Sequence, residues 1–374
     1  MSLLMFQRKL LNRTQIWNKN GLNWFGSVSA HAVGDPQHSM VNDVYYSRFT
    51  SLPDANNFEY PHYISKRHHP TVWTNIIDTD IQRLKNKHDI NISRNDIEFY
   101  DKHGYLILNN FFDNHTIKDV KNTLTDYMDK LNIDNTNEYV LTETKTSKIR
   151  SIFNIHDNLY KSLWNDVRLT NIVSTILNSD IYITQSRINL QQELHGEGFY
   201  WHSDFETWHI EDGMKLPRSL SAVILIDDGY PYNGGLMVIP GSHKFYIHCI
   251  NQDSNDMPNE NWLTSLKNQY YGTPTKEQLL FLYNYNIDVL NGNGIEYIGV
   301  GKSGTVILFD SNLIHGSHNN ISPISRNTIF WVYNSVDNKL GKPIIGNGRP
   351  DYLVEKDPHW QKGIIQTMNS GFQS

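Results

Sequence analysis

From Ile181 onward the sequence breaks into short runs rich in β-branched and aromatic residues: IYITQSRINL, FYWHSDFETWH, SLSAVILID, GGLMVIP, GTVILFD and NTIFWVYNS. Turn-forming stretches such as Tyr232-Asn233-Gly234-Gly235 and Gly301-Lys302-Ser303-Gly304 separate them. β-Branched and aromatic side chains fit the pleated, half-buried surface of a strand. Several such runs late in one chain, each too short for a stable helix, suit an antiparallel double sheet. The expected fold class is mainly β with flanking α: a double-stranded β-helix (jelly-roll, cupin-like) core supported by N-terminal helices.

The supporting helices have their own signals. Ser93-Arg94-Asn95-Asp96 reads as a capping box before Ile97, Phe99 and Tyr100. DKHGYLILNNFF then predicts a helix end at Gly104 and a short strand after it. In DNHTIKDVKNTLTDYMDKLN, the residues Ile117, Val120, Leu124, Met128 and Leu131 fall on one helical stripe, with Asp113 or Asn114 as cap.

Bulk properties exclude some functions. A net charge of -6 over 374 residues argues against nucleic-acid binding, which needs a basic face. No run of eighteen apolar residues is present to span a membrane. The one cysteine, Cys249, allows no internal disulfide and suits a reducing compartment, so the expected location is cytoplasmic. Residues 1–34 contain no Asp or Glu but carry Arg8, Lys9, Arg13 and Lys19. That pattern fits either a transit peptide, which would make the location the mitochondrial matrix, or a disordered tail. We take 1–48 as an N-terminal extension and 49–374 as one catalytic domain.

The candidate chemistry lies in FYWHSDFETWH. If this run is a strand, His202 and Asp204 share a face, because alternate side chains point the same way. Two ligands make a weak site. His315, in NLIHGSHNN after the run GTVILFD, is the best third. Two histidines and one carboxylate on one side of an ion form the facial triad of non-haem Fe(II) oxygenases, with positions left for an oxidant and a co-substrate. Zinc accepts the same ligands, although a structural zinc site would want a fourth. Arg326 lies eleven residues beyond His315, just before NTIFWV. A guanidinium entering a barrel there needs an anion, and a carboxylate held in two-pronged fashion satisfies it. The combination matches an enzyme using Fe(II), 2-oxoglutarate and O2. His209, His243, Asp227, Asp228 and Cys249 are read as structural or solvated.

On these motifs the chain resembles the phytanoyl-CoA dioxygenase superfamily and, within it, the ectoine hydroxylases. FYWHSDFETWHIEDGM carries most of the likeness. QSRINL, RSIF, GLMVIPGSHK and FDSNLIHGSHNNISPISR add to it, and RHHPTVW near residue 70 is a weaker match. The resemblance implies hydroxylation of ectoine to 5-hydroxyectoine, with release of succinate and CO2. It also implies iron on His202, Asp204 and His315. The far carboxylate of 2-oxoglutarate would lie on Arg326 and Ser317, with Asn189, Phe199 and Ser221 lining that co-substrate. Gln185, Trp208 and Phe309 would hold ectoine, with Phe330 close by, and the assembly would be a homodimer. Aromatic faces suit a delocalised cation.

Three departures bear on the substrate. Gln191 stands where the resemblance leads one to expect a lysine that contacts 2-oxoglutarate; Gln191 is expected to bind the co-substrate there, with a hydrogen bond but no charge. Ser219 replaces an alanine, and FLYNYNIDVLNGNGIEYIGVGKSG is longer than expected. They keep open a hydroxylase of another small zwitterion or amino acid. A non-catalytic cupin-like protein that binds a metal or an osmolyte is the rival of a different class.

Overall fold

The computed structural model describes residues 92–130, 140–143, 148–155, 160–177, 179–245, 274, 276–343, 348–351 and 353–356. The extension 1–48, the segment RHHPTVW, the boundary at 49, Leu131 and Cys249 lie outside the described residues.

The first helix, α1 (Arg94–His103), starts where the capping box puts it. Ser93 Oγ accepts from the Asp96 amide at 3.2 Å, and the Asp96 carboxylate accepts from the Ser93 amide at 2.7 Å. The helix stops at Gly104, whose φ of 83° is the left-handed conformation that glycine adopts without strain. Strand β1 (Tyr105–Leu108) follows at once. Helix α2 (Asn114–Lys130) buries Ile117, Val120 and Leu124, and Asp113 caps it by accepting from the Thr116 amide at 2.7 Å.

The chain continues through β2 (Val140–Thr142), β3 (Ile149–Phe153), α3 (Lys161–Trp164) and α4 (Val167–Leu177). Strands β4 (Ile181–Gln191) and β5 (Phe199–His202) lead to helix α5 (Asp204–Asp212). Then come β6 (Ser219–Leu225), β7 (Leu236–Val238), α6 (Lys276–Asp288), β8 (Glu296–Tyr297), β9 (Val306–Asp310), β10 (His315–Ser317) and β11 (Arg326–Ser335). Among the described residues they form two antiparallel sheets. The larger has the order β1-β9-β6-β11-β4-β3-β2, and the smaller has β5-β10-β7-β8. This is the expected double sheet backed by helices.

Strand alternation separates a helix-side core from the space between the sheets. Leu220, Ala222 and Ile224 of β6, Val306 and Leu308 of β9, and Ile329, Trp331 and Tyr333 of β11 pack with α2 and α4. Their neighbours Val223, Leu225, Ile307, Phe309 and Phe330 form a second cluster with Leu236 and Val238 of the smaller sheet. Strand β4 switches phase. Ile181 and Ile183 face the helices, and so do Ile188 and Leu190, which cannot follow from a strict two-residue period. The register with β11 slips at this point: Val332 opposes Gln185 while Tyr333 opposes Ile183. The extra residue, Thr184, is a bulge that re-aims every side chain after it. Gln185, Arg187, Asn189 and Gln191 thereby fall on the inner face.

Candidate metal centre

FYWHSDFETWH is not one strand. It pairs as β5 only to His202, and Asp204 is the first residue of α5. Ser203 is the N-cap, its Oγ accepting from the Glu206 amide at 3.1 Å. The shared strand face expected for His202 and Asp204 is therefore replaced by a strand-to-helix corner. The Ser-x-x-Glu spacing was a visible sign of it. The corner has two chemical effects. It sets the Asp204 carboxylate at a helix N-terminus, where the backbone dipole favours negative charge. It also puts Trp208 one turn on, on the same helix face as Asp204.

His202 and His315 oppose each other across the β5–β10 pair, with ring centroids 4.2 Å apart. Asp204 lies between their far nitrogens. Oδ1 is 3.6 Å from His202 Nε2, and Oδ2 is 3.9 Å from His315 Nε2. One ligand atom from each residue falls within 4.8 Å of the others, and the described residues contain no second group of this kind. Both imidazoles are oriented from behind. His202 Nδ1 donates to the Tyr200 carbonyl at 2.7 Å, and His315 Nδ1 to the Leu313 carbonyl at 2.9 Å. That fixes the tautomer and leaves each Nε2 with its lone pair toward the centre, as metal-bound histidines require. Burial, with the neighbouring His202, pushes His315 down to about 4. Burial alone would raise the Asp204 carboxyl. The opposing pull of His315, His202 and Arg187 outweighs it and keeps the group ionised. Two imidazole nitrogens and one carboxylate oxygen on one side fit a divalent first-row metal with open positions.

Arg326 begins β11 and is buried. Its Nη2 donates to Gln191 Oε1 at 2.9 Å, while Nε has no hydrogen-bond partner among the described residues. No described carboxylate pairs with it, although Asp227 is near enough to act through space. Burial pushes it down to about 10. Such a cation is costly unless an anion joins it.

Apart from Trp208 on α5, the other expected residues sit on strands of the two sheets. Phe309 is fully buried, with its ring 4.8 Å from His315. Ser221 Oγ donates to Asp204 Oδ2 at 3.4 Å. Asn189 Oδ1 accepts from Ser151 Oγ at 2.8 Å, and Ser317 Oγ accepts from the Phe199 amide at 3.1 Å. Gln185 and Trp208 are buried. Phe330 lies beneath the guanidinium of Arg187 at 4.6 Å. Gln191 sits beside Arg326 and turns its amide nitrogen to main-chain carbonyls. Ser219 points to Met214 Sδ.

The structure adds two residues that sequence reading gave no role. Arg187 joins Phe330, reaches Gln185 Oε1 at 3.4 Å and bears on Asp204. The alternation Gln-x-Arg-x-Asn-x-Gln along β4 was its signal. Arg150 of β3 stacks on Phe199 at 4.0 Å and donates to the Gly198 carbonyl at 2.8 Å, while Glu197 and Glu143 flank it. His209 and His243 bind main-chain carbonyls of Met214 and Asp101 outside the triad. Asp228 meets Lys302, and Asp227 meets Lys121.

Comparison with known proteins agrees with this geometry. Residues 100–328 match the family described as phytanoyl-CoA dioxygenase. An ectoine dioxygenase from Sphingopyxis alaskensis is 40% identical over 275 residues, covering 72% of this chain and 84% of that protein. One from Nocardia farcinica is 38% identical over 264 residues, covering 69% and 83%. The crystal structure of EctD from S. alaskensis with bound Fe superposes with a TM-score of 0.60 at 35% identity, over 73% of this chain and 86% of that one. The same protein with 2-oxoglutarate and 5-hydroxyectoine gives 0.58 at 34% identity, over 72% and 86%.

Proposed function

This chain belongs to the phytanoyl-CoA dioxygenase family, and we propose that it is an Fe(II)- and 2-oxoglutarate-dependent dioxygenase that hydroxylates ectoine to 5-hydroxyectoine. One oxygen atom of O2 enters the product hydroxyl. The other enters succinate as 2-oxoglutarate loses CO2. The observation that carries the reading is the pairing of a three-ligand centre with a buried guanidinium lacking a carboxylate partner among the described residues. An ion and a dicarboxylate complete the two together.

His202, Asp204 and His315 would hold the iron, which supplies a Lewis-acid chelation point for the 2-oxo acid and activates O2. The remaining work falls to the chain. Arg326 and Ser317 bind the far carboxylate, and Asn189 and Phe199 line the co-substrate. Ser221 holds Asp204 in place. Gln185 offers a hydrogen-bonding amide to the substrate, while Trp208, Phe309 and Phe330 wall its delocalised ring and exclude water. The backbone carbonyls of Tyr200 and Leu313 keep the histidine protons on Nδ1 throughout. The working form is a homodimer, and the reaction is cytoplasmic.

A panel tests the substrate. Succinate release is measured anaerobically loaded with Fe(II), then exposed to O2 with ectoine, proline or other small zwitterions. Ectoine should give the highest kcat/KM, with a product heavier by one oxygen. A better amino-acid substrate would overturn the ectoine assignment and keep the oxygenase. Iron binding with no turnover on any substrate would favour a binding protein.

A further inference from the structure

Gln191 is the last residue of β4 and opposes Arg326 at the start of β11. Its side-chain amide is fully committed on the donor side. Nε2 approaches the Glu197 carbonyl at 3.1 Å and the His318 carbonyl at 3.2 Å, and an amide has two N–H groups to give. Oε1 accepts from Arg326 Nη2 at 2.9 Å. The side chain is buried and held by shape as well. A Cβ at Gly196 would stand 2.8 Å from Gln191 Cγ, and one at Gly234 would stand 2.6 Å from Cδ. Both neighbours are glycine, and the amide fills the space they leave.

The three groups that Gln191 joins are those around the proposed anion pocket. The Glu197 carbonyl belongs to the loop that delivers Phe199, with Arg150 clamping it from the other side. His318 follows Ser317, whose hydroxyl receives the Phe199 amide. Arg326 is the cation itself. A lysine at this position could donate to the two carbonyls, but it would offer no acceptor to the guanidinium and would set a second positive charge beside it. Glutamine does the reverse. It orients Arg326 and leaves its charge undivided.

We propose that Gln191 is a positioning residue for the co-substrate: it holds Arg326 in place through Oε1, ties the two flanking loops through Nε2, and does not itself donate to 2-oxoglutarate. The inference rests on the co-substrate reading above. It refines the expectation that Gln191 touches 2-oxoglutarate directly.

Two variants separate electrostatics from packing. Gln191→Glu keeps the size and the acceptor but pairs Arg326 with a carboxylate. Gln191→Leu removes both polar functions. Binding of 2-oxoglutarate to anaerobic Fe(II)-loaded protein is measured by calorimetry, with ectoine binding measured separately and circular dichroism confirming the fold. Loss of one charge-assisted contact corresponds to about 10- to 100-fold in affinity, and Gln191→Glu should fall in that range. Gln191→Leu should lose less, and both should raise KM for 2-oxoglutarate while kcat at saturation and ectoine affinity stay near wild type. Gln191→Glu binding 2-oxoglutarate as tightly as wild type would overturn the inference alone. So would a fall in kcat with KM unchanged. Failure of the wild-type protein to bind 2-oxoglutarate at all would overturn the co-substrate reading and this inference with it.

Discussion

Replacing Arg326 by methionine should make the protein more stable and, at the same time, unable to respond to its co-substrate. Arg326 is 6% exposed, and burial, against a weaker pull from Asp227, pushes its guanidinium well below the ordinary arginine range, to about 10. A basic group whose affinity for its proton falls on folding works against folding at every pH below that lowered value. At neutral pH the effect is about 3 kcal/mol for a shift of this size. Methionine keeps the apolar stem and removes the charge. It also leaves Gln191 Oε1 without its donor, which costs about 1 kcal/mol or somewhat more. The net expectation is a gain of roughly 1–2 kcal/mol in the absence of co-substrate. Wild-type protein at a 2-oxoglutarate concentration of about 100 times Kd should gain ~2.7 kcal/mol, and the variant nothing. The order of stability therefore reverses when co-substrate is added. Urea titration of Fe(II)-loaded protein under argon, with and without 2-oxoglutarate, measures all four states. An Arg326→Met protein that is less stable than wild type and still gains the full increment would rule out Arg326 as the costly buried cation that the co-substrate satisfies.

Three further outcomes follow from the geometry. His315→Ala removes one of the three ligand atoms from the most enclosed position, so iron content by mass spectrometry should fall well below one per chain while circular dichroism is unchanged. Asp212→Ala removes the carboxylate that Arg349 Nε holds at 2.9 Å within the fold, and should cost about 3–5 kcal/mol in urea denaturation. The double replacement Asp212→Leu with Arg349→Met should recover most of that loss. Gly198→Ala would set a Cβ 2.3 Å from the Ser317 carbonyl and 2.7 Å from the His318 carbonyl carbon, both main chain. It should cost about 1–3 kcal/mol and weaken 2-oxoglutarate binding, because β5 and β10 must part to admit it.

Much of the architecture was legible because local signals and the final fold agree. The Ser93 capping box, the stop at Gly104 and the stripe on α2 each settle within a few residues. The runs that became β4, β6, β9 and β11 are long and apolar enough to announce themselves. What escaped was short or composite. β2 has three residues and β8 two, too few for a period to emerge. FYWHSDFETWH looks uniformly strand-like because aromatic content dominates it, and the cap at Ser203 overrides that impression. The bulge at Thr184 was present in the sequence as a change of parity between Ile183 and Ile188, yet its consequence needs the β11 register to be seen. The candidate metal ligands His202, Asp204 and His315 were readable by spacing and likeness. Arg150 and the bracing by Gln191 were not, because each depends on which strand lies opposite, and Arg187 showed only as one member of the polar alternation along β4.

In the proposed reaction one dioxygen molecule is divided between substrate and co-substrate at this centre. The most direct measurement is turnover of ectoine with 2-oxoglutarate under 18O2, with both products analysed by mass spectrometry. One labelled oxygen is expected in the hydroxylated product and one in succinate, with equal amounts of the two products. Succinate formed without ectoine oxidation, or a product hydroxyl drawn from water, would contradict it.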